Sequence, residues 1–102
     1  MTAIAAYTPD LMDRSKVAAA GRGVRFASRA DDLLTMPADV FVVDLTKPGV
    51  LDVVGSLDGR VIGFANHTNR AAMEAGLAAG CAQVLARSAF FARLDELLAP
   101  DA

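Results

Sequence analysis

The chain has no tryptophan, one tyrosine, one histidine and one cysteine, and the last two scarcities each close off a class of function. A lone cysteine, Cys81, permits no internal disulfide, which excludes the stapled scaffolds of small secreted domains. His67, the only histidine, has no partner histidine or cysteine at the spacing of a zinc site. No apolar run approaches the roughly 20 residues of a membrane-spanning helix. Met1-Thr2-Ala3-Ile4 lacks the basic start and long apolar core of a signal peptide. A cytoplasmic location without membrane contact is therefore expected. Basic charge is sparse as well, with ten Lys and Arg against twelve Asp and Glu and a net charge of −2. Arg14, Lys16, Arg22, Arg25 and Arg29 alternate with acidic and apolar residues, the pattern of a solvated surface and not of a nucleic-acid footprint. No Gly-x-Gly-x-x-Gly follows the first apolar run, and no P-loop lysine motif or Asp-x-His-x-x-Gly occurs.

What the chain does hold is enough apolar material for a core. Hydrophobic residues make up 54% of 102 residues and charged ones 22%, which is the composition and size of one globular domain, residues 1–102. Five short apolar runs, at 3–7, 24–27, 40–44, 61–65 and 83–86, are each bounded by turn or cap residues. Val40-Phe41-Val42-Val43 is a continuous β-branched and aromatic run, as expected of a strand buried on both faces. Helix signals fill the intervals. Thr8 is a candidate N-cap with Pro9 at the first helical position, and Gly21 and Gly23 stop that helix. Ser28 with Asp31 suits a short second helix, and 50–57 a third. Met73 and Leu77 mark a helix over 70–79 that ends at Gly80. Ser88 is a candidate cap for a last helix carrying Phe90, Leu94, Leu97 and Leu98. Strands alternating with helices imply parallel pairing through right-handed crossovers, hence an α/β (βα)5 three-layer sandwich.

Sheets of this kind bind ligands beyond the carboxyl ends of their strands, near the reversal of strand order. The rule selects Thr8 to Asp10, Asp44 to Lys47, Ala65 to His67 and Arg87-Ser88. Cys81 and Arg87 also stand in a Cys-x5-Arg spacing. The residues between them, Ala-Gln-Val-Leu-Ala, read as an apolar strand and not as a phosphate-cradling loop, so a buried, unreactive thiol is expected.

Val42-Val43-Asp44-Leu45-Thr46-Lys47-Pro48-Gly49 resembles the phosphoacceptor strand of CheY-like response-regulator receiver domains, an apolar strand ending in Asp with Pro four residues on. Ala78-Ala79-Gly80-Cys81-Ala82-Gln83-Val84-Leu85-Ala86-Arg87 is similar to the family's fourth helix and fifth strand. The resemblance spans essentially the whole chain and implies a flavodoxin-like five-stranded sheet of order 2-1-3-4-5. It also implies a chemistry, in which the strand-three aspartate attacks a phosphoryl group. Mg²⁺ is held by an acidic pair after strand one, and a Ser or Thr after strand four and a Lys after strand five complete the site. The positions that match are Asp44 as phosphoacceptor and Thr46, Ala65, Asn66, His67 and Arg87 as its neighbours. Tyr7-Thr8 stands where the acidic pair would be, leaving Asp10 and Asp44 as the candidate metal ligands. Ala65 falls at the switch position, with Asn66 or Thr68 able to shift in, and Arg87 replaces the lysine.

These departures point to a degenerate pseudo-receiver, acting in signal transduction by protein–protein contact and without phosphorylation. In that reading Asp44 is an inherited acid paired with Arg87. Alternatives are an atypical two-component response regulator phosphorylated on Asp44, and a small α/β ligand-binding protein or enzyme. The expected cofactor is none, or Mg²⁺ if phosphorylation is retained. A stand-alone domain without an output domain after Ala102 is expected, and a sensor kinase or effector protein is then the expected partner. Arg70, Glu74, Arg93 and Glu96 supply mixed charges on the face of the last two helices, compatible with a homodimer. No nucleic acid is expected.

Overall fold

In the computed structural model, residues 2–21 and 23–99 are described. Met1, 100–102 and Arg22, the last read above as a surface charge, lie outside them. Strand β1 (Ile4–Tyr7) leads into helix α1 (Leu11–Ala20). The helix starts later than expected, because Asp10 and not Thr8 is its N-cap. The Asp10 carboxylate accepts from the amides of Met12 and Asp13, at 2.9 and 3.2 Å, satisfying two donors that a helix start leaves free. Thr8 is instead buried at the strand end.

Strand β2 is only Arg25–Phe26, shorter than the apolar run at 24–27. The short second helix is a 3-10 helix, Ala30–Thr35, opening after Arg29 and not after Ser28. Strand β3 (Val40–Asp44) is buried at every residue. The connection after it turns at Gly49, whose φ of 82° favours glycine, into helix α2 (Val50–Val54). That helix is three residues shorter than the 50–57 expected. Strand β4 (Arg60–Ala65) is followed by α3 (Arg70–Ala79), capped by Asn69 through the Ala72 amide. Gly80, at φ 121°, ends α3. Strand β5 (Gln83–Ala86) runs straight into α4 (Arg87–Ala92), so Ser88 lies inside the helix and caps nothing. The chain bends at Arg93 before a final turn, α5 (Leu94–Leu97).

All five strands pair in parallel in the order β2-β1-β3-β4-β5. Period-2 alternation divides their side chains between two cores. Ala5, Tyr7, Phe41, Val43 and Val61 face the 3-10 helix, α2 and α3. Ile4, Ala6, Val40, Val42, Ile62 and Phe64 face α1, α4 and α5. The sheet thus lies between two helical layers, as alternation of strands and helices predicts. On the α1 side Phe64 stacks on Phe90, with ring centroids 4.6 Å apart, and Phe91 meets both rings edge-on. Among the described residues no helix is long and apolar enough to cross a membrane.

Candidate functional site

The carboxyl ends of β1, β3, β4 and β5 lie together at one end of the sheet because every strand runs the same way. Asp44 is the last residue of β3 and is buried there. It follows Val40 and Val42 in alternation, so it belongs to the face that carries α1 and α4. Its cross-strand partner is Phe64. The residue two positions on takes up one of its oxygens. Thr46 donates its backbone N–H (3.0 Å) and its hydroxyl (2.6 Å) to the same Oδ1, a local turn typical of Asp before a loop.

Arg87 was expected to pair with Asp44. It pairs with Asp13. One guanidinium nitrogen donates to Asp13 Oδ2 at 2.7 Å and the other to Oδ1, the fork-to-carboxylate geometry that favours Arg. Asp13 lies wholly buried on the inner side of α1, four residues before the equally buried Val17. The path to it is apolar, since the guanidinium passes 5.8 Å from the Phe64 ring centroid and 5.2 Å from that of Phe91. Two facts decide the partner. A wholly buried carboxylate is costly without a counter-charge, whereas Asp44 Oδ1 is already satisfied by Thr46. The bonds to Asp13, with the nearby Asp10 and Asp44 charges, hold the Arg87 pKa above its ordinary value.

Asp13 is the site residue that sequence reading missed. The available signal was an acid at i−4 from Val17, on the stripe of α1 that must face the sheet. Asp10, the candidate metal ligand, is spent on capping. The Asp13 amide is the main cause that lowers its pKa, with the Met12 amide, Arg87 and Lys47 adding to it.

The remaining positions spread outward from this centre. Ala65 is buried at the end of β4 and brings no hydroxyl. Asn66 is exposed, and its side-chain oxygen is taken by the Thr68 amide and hydroxyl at 3.2 and 3.1 Å. His67 lines a recess of about 300 Å³ with Arg70, Met73, Glu74 and Ala86, between α3 and β5. Arg93 and Glu96 pair with each other at 3.2 Å across one helical turn. Thr8 Oγ1 is buried with no hydrogen-bond partner among the described residues. Cys81 sits in the core below α3, its thiol pKa raised by burial, and β5 separates it from Arg87. The recess at the β1–β3 reversal, about 280 Å³ between Tyr7, Arg29 and Pro48, falls below the usual size of ligand pockets. Among the described residues no three His, Cys, Asp or Glu side chains gather closely enough to hold a metal ion.

No protein-family model matches this chain, and no curated protein does. Solved structures do match. The signal receiver domain of the putative response regulator NarL from Mycobacterium tuberculosis aligns with a TM-score of 0.76 at 17% identity, covering 94% of this chain and 91% of that one. A response regulator from Hahella chejuensis aligns at 0.75 and 12% identity, covering 95% and 92%. The fold is that of a response-regulator receiver domain. It recurs at a TM-score of 0.67 and 19% identity in a putative pilus assembly protein (cpaE) from Burkholderia thailandensis, covering 96% of this chain and 95% of that one. With the receiver fold in place, Asp44 stands at the end of the third strand, and the departures from the expected pattern fall on the residues around it.

Proposed function

We propose that this receiver-fold chain is a signalling domain that works by protein–protein contact and does not take a phosphoryl group on Asp44. The observation that carries the reading is the Asp13–Arg87 pair. Phosphoryl transfer to a carboxylate depends on positioning and on neutralising charge at the transferring oxygens. The cation directly after β5, Arg87, is committed to a buried acid on α1. The donor set also fits Mg²⁺ poorly, since that ion requires near-octahedral oxygen donors. Asp10 caps a helix, Asp13 is bound to Arg87, and Asp44 Oδ1 receives two bonds from Thr46. Ala65 supplies no hydroxyl after β4. The partner is a kinase or effector protein, and the cytoplasm is the compartment that suits it. The fold also serves a putative pilus assembly protein, whose name refers to assembly and not to regulation.

The test is direct. The purified chain is incubated with acetyl phosphate and Mg²⁺ and its intact mass is measured. No gain of a phosphoryl group is expected. A Mg²⁺-dependent gain that Asp44→Ala abolishes would establish the atypical phosphoacceptor in its place.

A further inference from the structure

Arg87 reaches Asp13 by crossing the sheet face on which Asp44 lies. It begins α4 beyond β5, leans over Phe64 of β4 and ends on α1. Phe64 is the direct cross-strand neighbour of Asp44. The side chain that could neutralise Asp44 therefore passes one strand away and is held by a different acid. The same guanidinium covers one side of Phe91, whose ring also has the Lys16 ammonium 5.0 Å from its centroid. Asp13 thus fixes the cation, and the cation helps to fix the one ring of the three-ring cluster that is only partly buried. Arg87 is itself 41% exposed in its side chain, while Asp13 is wholly buried, so the arginine is the member free to swing.

We infer that the Asp13–Arg87 pair is an autoinhibitory latch, which withholds a guanidinium from Asp44 and pins the start of α4 to α1. When the latch opens, Arg87 turns to Asp44, Phe91 loses one of its two cations, and the surface around α4 changes. A protein partner that prefers the open arrangement shifts the population toward it by its differential affinity. The latch rests on the reading of this end of the sheet as the functional end. It is testable without phosphate or partner, so its failure is distinguishable from a failure of the proposed function.

The experiment measures Asp44→Asn in two backgrounds of the full chain, the parent and Asp13→Asn. In the parent, Asp44 and Arg87 are not bonded, and thermal unfolding should shift by less than about 1 °C because Asn keeps the acceptor for Thr46. In the Asp13→Asn background, Arg87 is free to pair with Asp44, and removing that carboxylate should lower Tm by about 4 °C or more beyond the parent effect. Adding Arg87→Gln to the Asp13→Asn background should abolish the excess. Equal shifts in the two backgrounds, or an excess that survives Arg87→Gln, would overturn the latch. If Asp13→Asn does not fold, Asp13→Ser takes its place. Failure of both to fold would make the pair a folding requirement and overturn the inference as well.

Discussion

Leu45 lies where a β-carbon on Gly76 would stand, its Cδ1 only 2.7 Å from that position. The same side chain lies 2.8 Å from the corresponding position on Gly63 of β4. Two glycines, one on the sheet and one on α3, therefore form the slot that seats the residue next to Asp44. Gly76→Ala gains up to about 1 kcal/mol of helix propensity but forces Leu45 against β4 or Val84. Overpacking of this kind costs about 1–3 kcal/mol. A net loss is expected in the urea midpoint, and Leu45→Ala combined with Gly76→Ala should lose less than the sum of the two.

Arg87→Met leaves Asp13 wholly buried without its counter-charge. Breaking a fully buried pair costs about 3–5 kcal/mol. Because Arg87 is partly solvated, a loss of about 2–3 kcal/mol is expected here. Replacing both members, Asp13→Val with Arg87→Met, should recover most of it, since no charge is then stranded. Chemical denaturation of the three variants checks this, and a double variant no better than Arg87→Met would contradict it.

The acid limb of stability should carry the signature of Asp10. Its pKa is lowered in the folded state, first by the Asp13 amide. Its stabilising contribution is therefore fully present above the free-aspartate value of about 3.9. It is lost as pH falls through the lower folded-state value. Asp10→Asn keeps an acceptor for the cap but does not titrate. The difference in stability between parent and variant should be constant above about pH 5 and shrink below about pH 4, in urea titrations run across that range.

Thr46→Val removes the hydroxyl donor to Asp44 and leaves the amide donor in place. A hydrogen bond to a carboxylate contributes about 1.5–3 kcal/mol when sheltered. With Thr46 exposed, a loss of about 1 kcal/mol or less is expected. Thr46→Ser should keep the bond and cost less than Thr46→Val.

Much of this fold was legible because its signals are local. The run Val40 to Val43 has the continuous apolar pattern that a doubly covered strand requires, and Gly80 stands where α3 needs a left-handed stop. The resemblance around Asp44 supplied the strand order, which periodicity alone leaves open. What escaped was long-range or one position out of register. Thr8 and Asp10 are both competent caps, and only burial of the strand end decides between them. Asp13 reads as an ordinary surface acid until a residue 74 positions away reaches across the sheet to meet it. The assignment of Arg87 to Asp44 failed for the same reason, since motif positions indicate which groups are near and not which oxygen is still unsatisfied.

The parallel order β2-β1-β3-β4-β5 also sets how far apart in the chain the paired strands lie. Most neighbouring strands are modestly separated along the chain: Ala5 pairs with Arg25, and Phe41 with Val61, each about 20 residues apart. The β1–β3 seam is different, for the Ala3 amide meets the Asp39 carboxylate across 36 residues. Closing that longer loop costs only about 0.5 kcal/mol more entropy, yet it is the step that joins the β1–β2 pair to the β3–β4–β5 block. Asp13 belongs to the first block, Asp44 and Arg87 to the second. Neither block holds both members of the Asp13–Arg87 pair, so the contact that spans this end of the sheet cannot form until that seam has closed.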